Sequence, residues 1–237
     1  MSETALTINV AARVRCTEAE GPGRRYALWV QGCPLRCPGC CNPHMLEERE
    51  VERLSVETLA QELSEAMSSN GSALWEGPIE GVTLLGGEPF TQANALGALA
   101  ERAQALGLSV MIFSGYTYEQ LTRSQDPGVA RLLQSTDLLV DGPYVQAKAT
   151  QERRWIGSTN QRVHFLTSRY QSLKERPSGW DEGSNTIELR FKGGELSLNG
   201  FPHPELLALL ERAQGSQLSE GSQLSEDERP RAPLRRC

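Results

Sequence analysis

Apolar positions in this chain keep two rhythms. Between residues 25 and 140, four short runs are apolar almost without interruption: 25–31, 81–85, 108–113 and 137–140. Unbroken runs of that length predict strands buried on both faces. Helical spacing falls between them. Leu54, Leu59, Leu63 and Met67 share a face of a helix predicted over 51–70, with Ser55 as a plausible N-cap. A second helix over 91–106 stops at Gly107, and helical stretches follow through Leu121 and over 127–134. Alternating strands and helices predict a parallel sheet covered by helices. In such folds, ligands bind beyond the carboxyl ends of the strands. The chain's glycine-rich and polar signals fall there: a cysteine loop after the first strand, Gly86-Gly87-Glu88 after the second, Ser114-Gly115 after the third and Asp141 after the fourth.

After Pro143 the rhythm changes. Residues 186–191 and 195–198 alternate with period two around Gly193-Gly194, which predicts an antiparallel hairpin with a primed turn. A last helix is predicted over 204–212, entered at Pro202 or His203. From Gly215 a polar hexapeptide occurs twice in tandem, followed by a Pro- and Arg-rich end, and this predicts a disordered tail. The expected organisation is one domain over 1–214 with a core of about 10–163, an added hairpin and helix at about 184–213, and a tail at 215–237. Too few strand–helix units are visible for eight, so the architecture expected is an incomplete (β/α) barrel with a C-terminal β-hairpin and helix.

Charge and composition narrow the function. A net charge of −6 argues against nucleic acid held on a generic basic surface. No apolar run approaches the roughly 20 residues that span a bilayer, and the first residues lack the pattern of a secretion signal. The expectation is a cytoplasmic protein with reduced thiols and no membrane partner. Of six cysteines, Cys33, Cys37, Cys40 and Cys41 crowd one stretch, while Cys16 and Cys237 stand apart. Clustered cysteines in a reducing compartment point to metal. Three thiolates spaced CxxxCxxC can hold three corners of an iron–sulfur cubane and leave one iron open for substrate. Structural zinc on Cys33, Cys37, Cys40 and His44 fits the spacing equally well. Cys41 reads as a small neighbour of the site, since adjacent residues point apart.

The motifs resemble a known family. Gly21-Pro22-Gly23-Arg24-Arg25, then Gln31-Gly32-Cys33, then Cys37-Pro38-Gly39-Cys40 followed by Asn42-Pro43, closely resemble the signature of radical S-adenosylmethionine (radical SAM) activating enzymes. Leu85-Gly86-Gly87-Glu88-Pro89 resembles that family's second motif. Ser114-Gly115-Tyr116-Thr117, Val140-Asp141-Gly142-Pro143-Tyr144 and Gly157-Ser158-Thr159-Asn160-Gln161-Arg162 are similar to the activating proteins of anaerobic ribonucleotide reductase. The resemblance covers about 10–163 and implies a barrel of the radical SAM type. It implies a 4Fe-4S cluster on Cys33, Cys37 and Cys40, and S-adenosylmethionine chelated at the open iron, with its ammonium received by Gly86, Gly87 and Glu88. Ser114 and Asp141 are candidates to contact the nucleoside or line its cavity. The resemblance further implies a glycyl radical enzyme as protein substrate and a reductant such as flavodoxin or ferredoxin. Two departures stand out. The elements after about 186 are extra, and Cys41 replaces an aromatic residue or His. Extra elements near a barrel mouth would allow a peptide or small-molecule target instead. A non-catalytic, metal-stabilised binding module is the third reading.

Overall fold

The computed structural model describes residues 5–69, 77–177, 179–192, 195–203, 205–206, 208–209 and 212. Its centre is a seven-stranded mixed sheet. The strands are β1 (Thr7–Thr17), β2 (Arg25–Val30), β3 (Glu52–Ser55), β4 (Gly81–Gly86), β5 (Ser109–Phe113), β6 (Leu138–Asp141) and β7 (Arg162–Phe165), in the spatial order β3-β1-β2-β4-β5-β6-β7. The pairs β2–β4, β4–β5 and β5–β6 are parallel, and the pairs β3–β1, β1–β2 and β6–β7 are antiparallel. The four apolar runs are the four parallel strands, and all six residues of β2 are buried. Helices α1 (Val56–Met67), α2 (Ala93–Ala105), α3 (Tyr118–Thr122) and α4 (Pro127–Gln134) connect them.

One sheet face carries Leu28, Val30, Val82, Leu84, Val110, Ile112 and Leu139 against Leu59, Leu63, Leu96, Leu99 and Leu132 of the helices. The opposite face divides in two. Ala27, Trp29 and Leu85 pack with Met45, while Met111, Leu138 and Val140 pack with Ile156 and Trp180.

Three strands, β1, β3 and β7, escaped the sequence pattern. The helix expected over 51–70 starts only at Val56, because Glu52–Ser55 pairs with Thr7–Val10. Ser55 makes the switch: its backbone is extended, and its side chain accepts the Thr58 N–H. The second helix enters through a 3-10 turn, Pro89–Gln92, and turns α-helical at Ala93. The hydrogen-bonded sheet ends at β3 and β7 and is open.

The late hairpin is present as β8 (Ile187–Lys192) and β9 (Glu195–Gly200), paired antiparallel, while its turn at 193–194 lies outside the described residues. So do parts of the expected last helix and the whole tail. The hairpin is not at the mouth. The Glu188 carboxylate accepts the Glu18 N–H at 2.7 Å, Arg190 donates to the Cys16 carbonyl, and the Gly200 N–H donates to Glu20 at 2.9 Å. Residues 16–20, the end of β1 and the start of its connection to β2, lie at the amino edge of the parallel strands, opposite the cysteine loop. The reason given for a different substrate, added elements at the mouth, therefore falls away.

Arg25 pins that amino edge. Its guanidinium is fully buried and donates to the Thr83 hydroxyl at 2.9 Å, the Ser109 hydroxyl at 2.5 Å, the Tyr170 hydroxyl at 3.0 Å and the Val82 carbonyl at 2.6 Å. Burial lowers its pKa from the usual guanidinium value. Arg25→Met would strand the acceptors of β4 and β5, at a cost of about 3 kcal/mol. Urea unfolding of the variant checks this, and a loss below about 1 kcal/mol would contradict it.

Candidate active site

Backbone hydrogen bonds fix the cysteine loop to its neighbours. Gly32 N–H donates to the Met45 carbonyl at 2.9 Å and Cys33 N–H to the Leu46 carbonyl at 3.2 Å, which closes the loop at its base. The Gln31 side chain donates to the Glu47 carbonyl at 2.7 Å. The end of β4 is seated on the end of β2: Gly87 N–H donates to Val30 at 2.8 Å, and Glu88 N–H to Gly32 at 2.9 Å. Both glycines are needed for this approach. Gly86 has φ +112°, and a Cβ on Gly87 would fall 2.2 Å from the Gly32 carbonyl oxygen. The loop after β5 closes from the other side, where a Cβ on Gly115 would lie 2.4 Å from Leu35.

Glu88 joins these segments. Its carboxylate is 1% exposed. Oε1 accepts the Phe90 N–H at 3.0 Å and the Ser114 hydroxyl at 2.9 Å, and Oε2 accepts the Gly115 N–H at 2.8 Å. Burial pushes its pKa up to about 7 despite these donors. A carboxylate has about four lone-pair positions, so one stays open on Oε2. Ser114 is thus a partner of Glu88.

Cys33 is 8% exposed, whereas Cys37 and Cys40 are half-buried and Cys41 is exposed. No disulfide joins cysteines among the described residues. Burial raises the Cys33 thiol pKa against hydrogen bonds from the Leu35 and Arg36 N–H groups. Cys40 goes the other way: its hydrogen bond with Cys41 holds it at about 6 against burial, helped by the Asn42 N–H at 3.4 Å. Cys41 therefore acts on its neighbour, a role that spacing did not suggest. Among the described residues, no three His, Cys, Asp or Glu side chains converge as a site for a single metal ion.

Asp141 lies slightly apart. It is buried at the end of β6 and takes Arg162 at 2.5 Å, His164 at 3.1 Å and the Tyr118 N–H at 2.6 Å. Burial raises its pKa, but these partners outweigh it and hold the carboxyl below its usual value. Arg162 also grips Glu119 at 2.7 Å. A cavity of about 570 Å³ opens beside the loop between Asn9, Gly32, Arg49 and Asn94, and none of the candidate cysteines, Gly86, Gly87, Glu88, Ser114 or Asp141 lines it.

Residues 19–164 match the family model described as 4Fe-4S single cluster domain. The chain belongs to this family, and with it to the radical SAM activating enzymes that its motifs resemble; a 4Fe-4S cluster and S-adenosylmethionine are the cofactors of that class. Its relatives include the anaerobic ribonucleoside-triphosphate reductase-activating proteins of Vibrio cholerae, 30% identical over 62% of this chain and 91% of the relative, and of Escherichia coli K12, 30% identical over the same shares. The corresponding protein of Enterobacteria phage T4 is 28% identical over 62% of this chain and 88% of its own. Among solved structures, QueE from Escherichia coli aligns over 47% of this chain and 53% of its own at 21% identity, with a TM-score of 0.38.

Two outcomes follow from the geometry. With a folded-state pKa of about 7 against 4.5, Glu88 contributes stability that is fully present below pH 4.5 and lost as pH rises through 7. The stability advantage of wild type over Glu88→Gln should therefore shrink between about pH 5 and pH 8 in denaturant titrations, and a constant difference would contradict the assignment. In the cluster-free protein, Cys41→Ala should move the midpoint of Cys40 alkylation upward from about 6, read by mass spectrometry across pH.

Proposed function

We propose that this chain cleaves S-adenosylmethionine reductively and installs a glycyl radical on a partner enzyme of the anaerobic ribonucleoside-triphosphate reductase type. The observation that carries the reading is the interlocked edge itself. A loop that carries three cysteines is bonded at its base to a Gly-Gly-Glu strand end, inside a family defined by a single 4Fe-4S cluster. Cys33, Cys37 and Cys40 would hold the cluster. A cubane spreads its ligands over separate irons, which suits three thiols spaced CxxxCxxC.

A cluster held by Cys33, Cys37 and Cys40 would supply the single electron needed for reductive cleavage of the sulfonium C–S bond of S-adenosylmethionine, and so the radical chemistry directed at the partner's glycine. This chain's residues orient and shelter that chemistry. The open lone pair of Glu88 and the carbonyls of Gly86 and Gly87 would receive the methionine ammonium. Ser114, held by Glu88, and the β6 end anchored by Asp141 would border the nucleoside. The open side of an incomplete barrel would admit the glycine-bearing loop, and a donor such as flavodoxin or ferredoxin would supply the electron. The domain would span 1–214, with 215–237 as an appended tail.

The test is anaerobic reconstitution with iron and sulfide, dithionite reduction, and quantitation of 5′-deoxyadenosine. Wild type should form it, Cys40→Ala should fall to background, and a glycyl radical signal should appear on an added reductase. Zinc binding in place of a cluster would overturn the reading. S-adenosylmethionine cleavage without radical on any candidate reductase would remove the proposed partner.

A further inference from the structure

The chain beyond the family-matched stretch 19–164 is tied back to it through Thr167, Arg169 and Tyr170 as well as the hairpin, and a further tie lies at 180–186. Segment 180–186 grips the turn 153–156. Asp181 pairs with Arg153 at 2.6 Å, the side chains 20% and 32% exposed, and its carbonyl accepts the Arg154 N–H at 2.9 Å. The Asn185 side chain accepts the Trp155 N–H at 2.8 Å, and Arg154 donates to the Thr186 hydroxyl at 3.2 Å. Trp180 stacks on Trp155 with ring centres 5.6 Å apart. Trp155 needs such holding: it is 2% exposed with φ +62°, a conformation a bulky side chain keeps only when its surroundings impose it.

The restraint passes on through Arg153, which donates to the Gln161 carbonyl at 3.0 Å. The Gln161 amide oxygen accepts the Gly157 and Ser158 N–H groups at 3.0 and 3.1 Å, and its nitrogen donates to the Gly142 carbonyl at 3.2 Å. Asn160 donates to the Pro143 carbonyl at 2.8 Å. Gly142 directly follows Asp141. A continuous series of bonds thus joins segment 180–186 to the end of β6. The intervening loop has little regular structure, only a 3-10 turn at Gln146–Lys148 and one bridge between Ala149 and Ser158.

We propose that segment 180–186 is a clamp on this loop, and that Asp181, acting through Arg153, is a positioning residue for residues 157–162 and the end of β6. The inference rests on the reading above, in which that strand end borders the nucleoside of S-adenosylmethionine. It gives the C-terminal extension a task inside the site.

The test compares Asp181→Ala and Asp181→Glu in the full chain with wild type. By hydrogen exchange, amides of 153–162 in Asp181→Ala should exchange about fivefold faster, with β2, β4 and the hairpin unchanged. In the reconstituted enzyme, the KM and Kd for S-adenosylmethionine should rise about fivefold while kcat for 5′-deoxyadenosine stays within about twofold. Asp181→Glu, which keeps the carboxylate, should restore both. Unchanged exchange at 153–162, acceleration throughout the chain, or faster exchange with unaltered S-adenosylmethionine binding would each overturn the clamp. If wild type binds no S-adenosylmethionine, the functional reading fails, and the exchange pattern alone decides the clamp.

Discussion

The Glu88 carboxylate lies out of solvent between two strand ends and takes hydrogen bonds from both, which sets the carboxyl edge of the sheet. A buried carboxylate is tolerated only where donors surround it, and three do so here. Two of them, the Ser114 hydroxyl and the Gly115 N–H, belong to the loop after β5; the third follows Glu88 in its own turn. Through Gly115 the same loop is pressed against Leu35, and through Gly87 the cysteine loop is bound to β4. The cysteines are thus held by backbone and packing from two neighbouring strands.

A buried charge of the opposite sign marks the other end of the sheet. Arg25 gathers β4, β5 and Tyr170 by hydrogen bonds to hydroxyls and carbonyls. Nearby, Glu20 is fully buried with its pKa raised to about 7 by burial, and one of its oxygens receives the Gly200 N–H. The polar residues of the hairpin, Glu188 and Arg190, face this end. The amino edge thus carries the added elements, while the carboxyl edge carries the candidate site.

How much of this the sequence disclosed follows from what a local pattern can encode. The four parallel strands were legible because both faces are buried, so their residues are apolar without alternation. β1, β3 and β7 were not: their residues are mixed and partly exposed, such as Ala11 to Val14 in β1, and pairing alone makes them strands. The end of Ser55's strand and the start of α1 differ in hydrogen bonding and not in apolar spacing, so 51–55 read as helix. At the site, the cysteine spacing and Gly86-Gly87 were legible because few residues can replace them. Which groups Glu88 touches was not, since Ser114 and Gly115 lie 26 and 27 residues away. The hydrogen bond from Cys41 to Cys40 depends on side-chain torsions between adjacent residues, which no periodicity records.

Both outermost strands are short and charged. β3 has four residues, including Glu52 and Arg53, and β7 has four, including Arg162, whose guanidinium is held by Asp141 and Glu119. Such margins discourage another chain from extending the sheet through its backbone. A protein partner of the proposed kind would therefore be met by loops and side chains, with the sheet as the rigid frame from which those loops are hung.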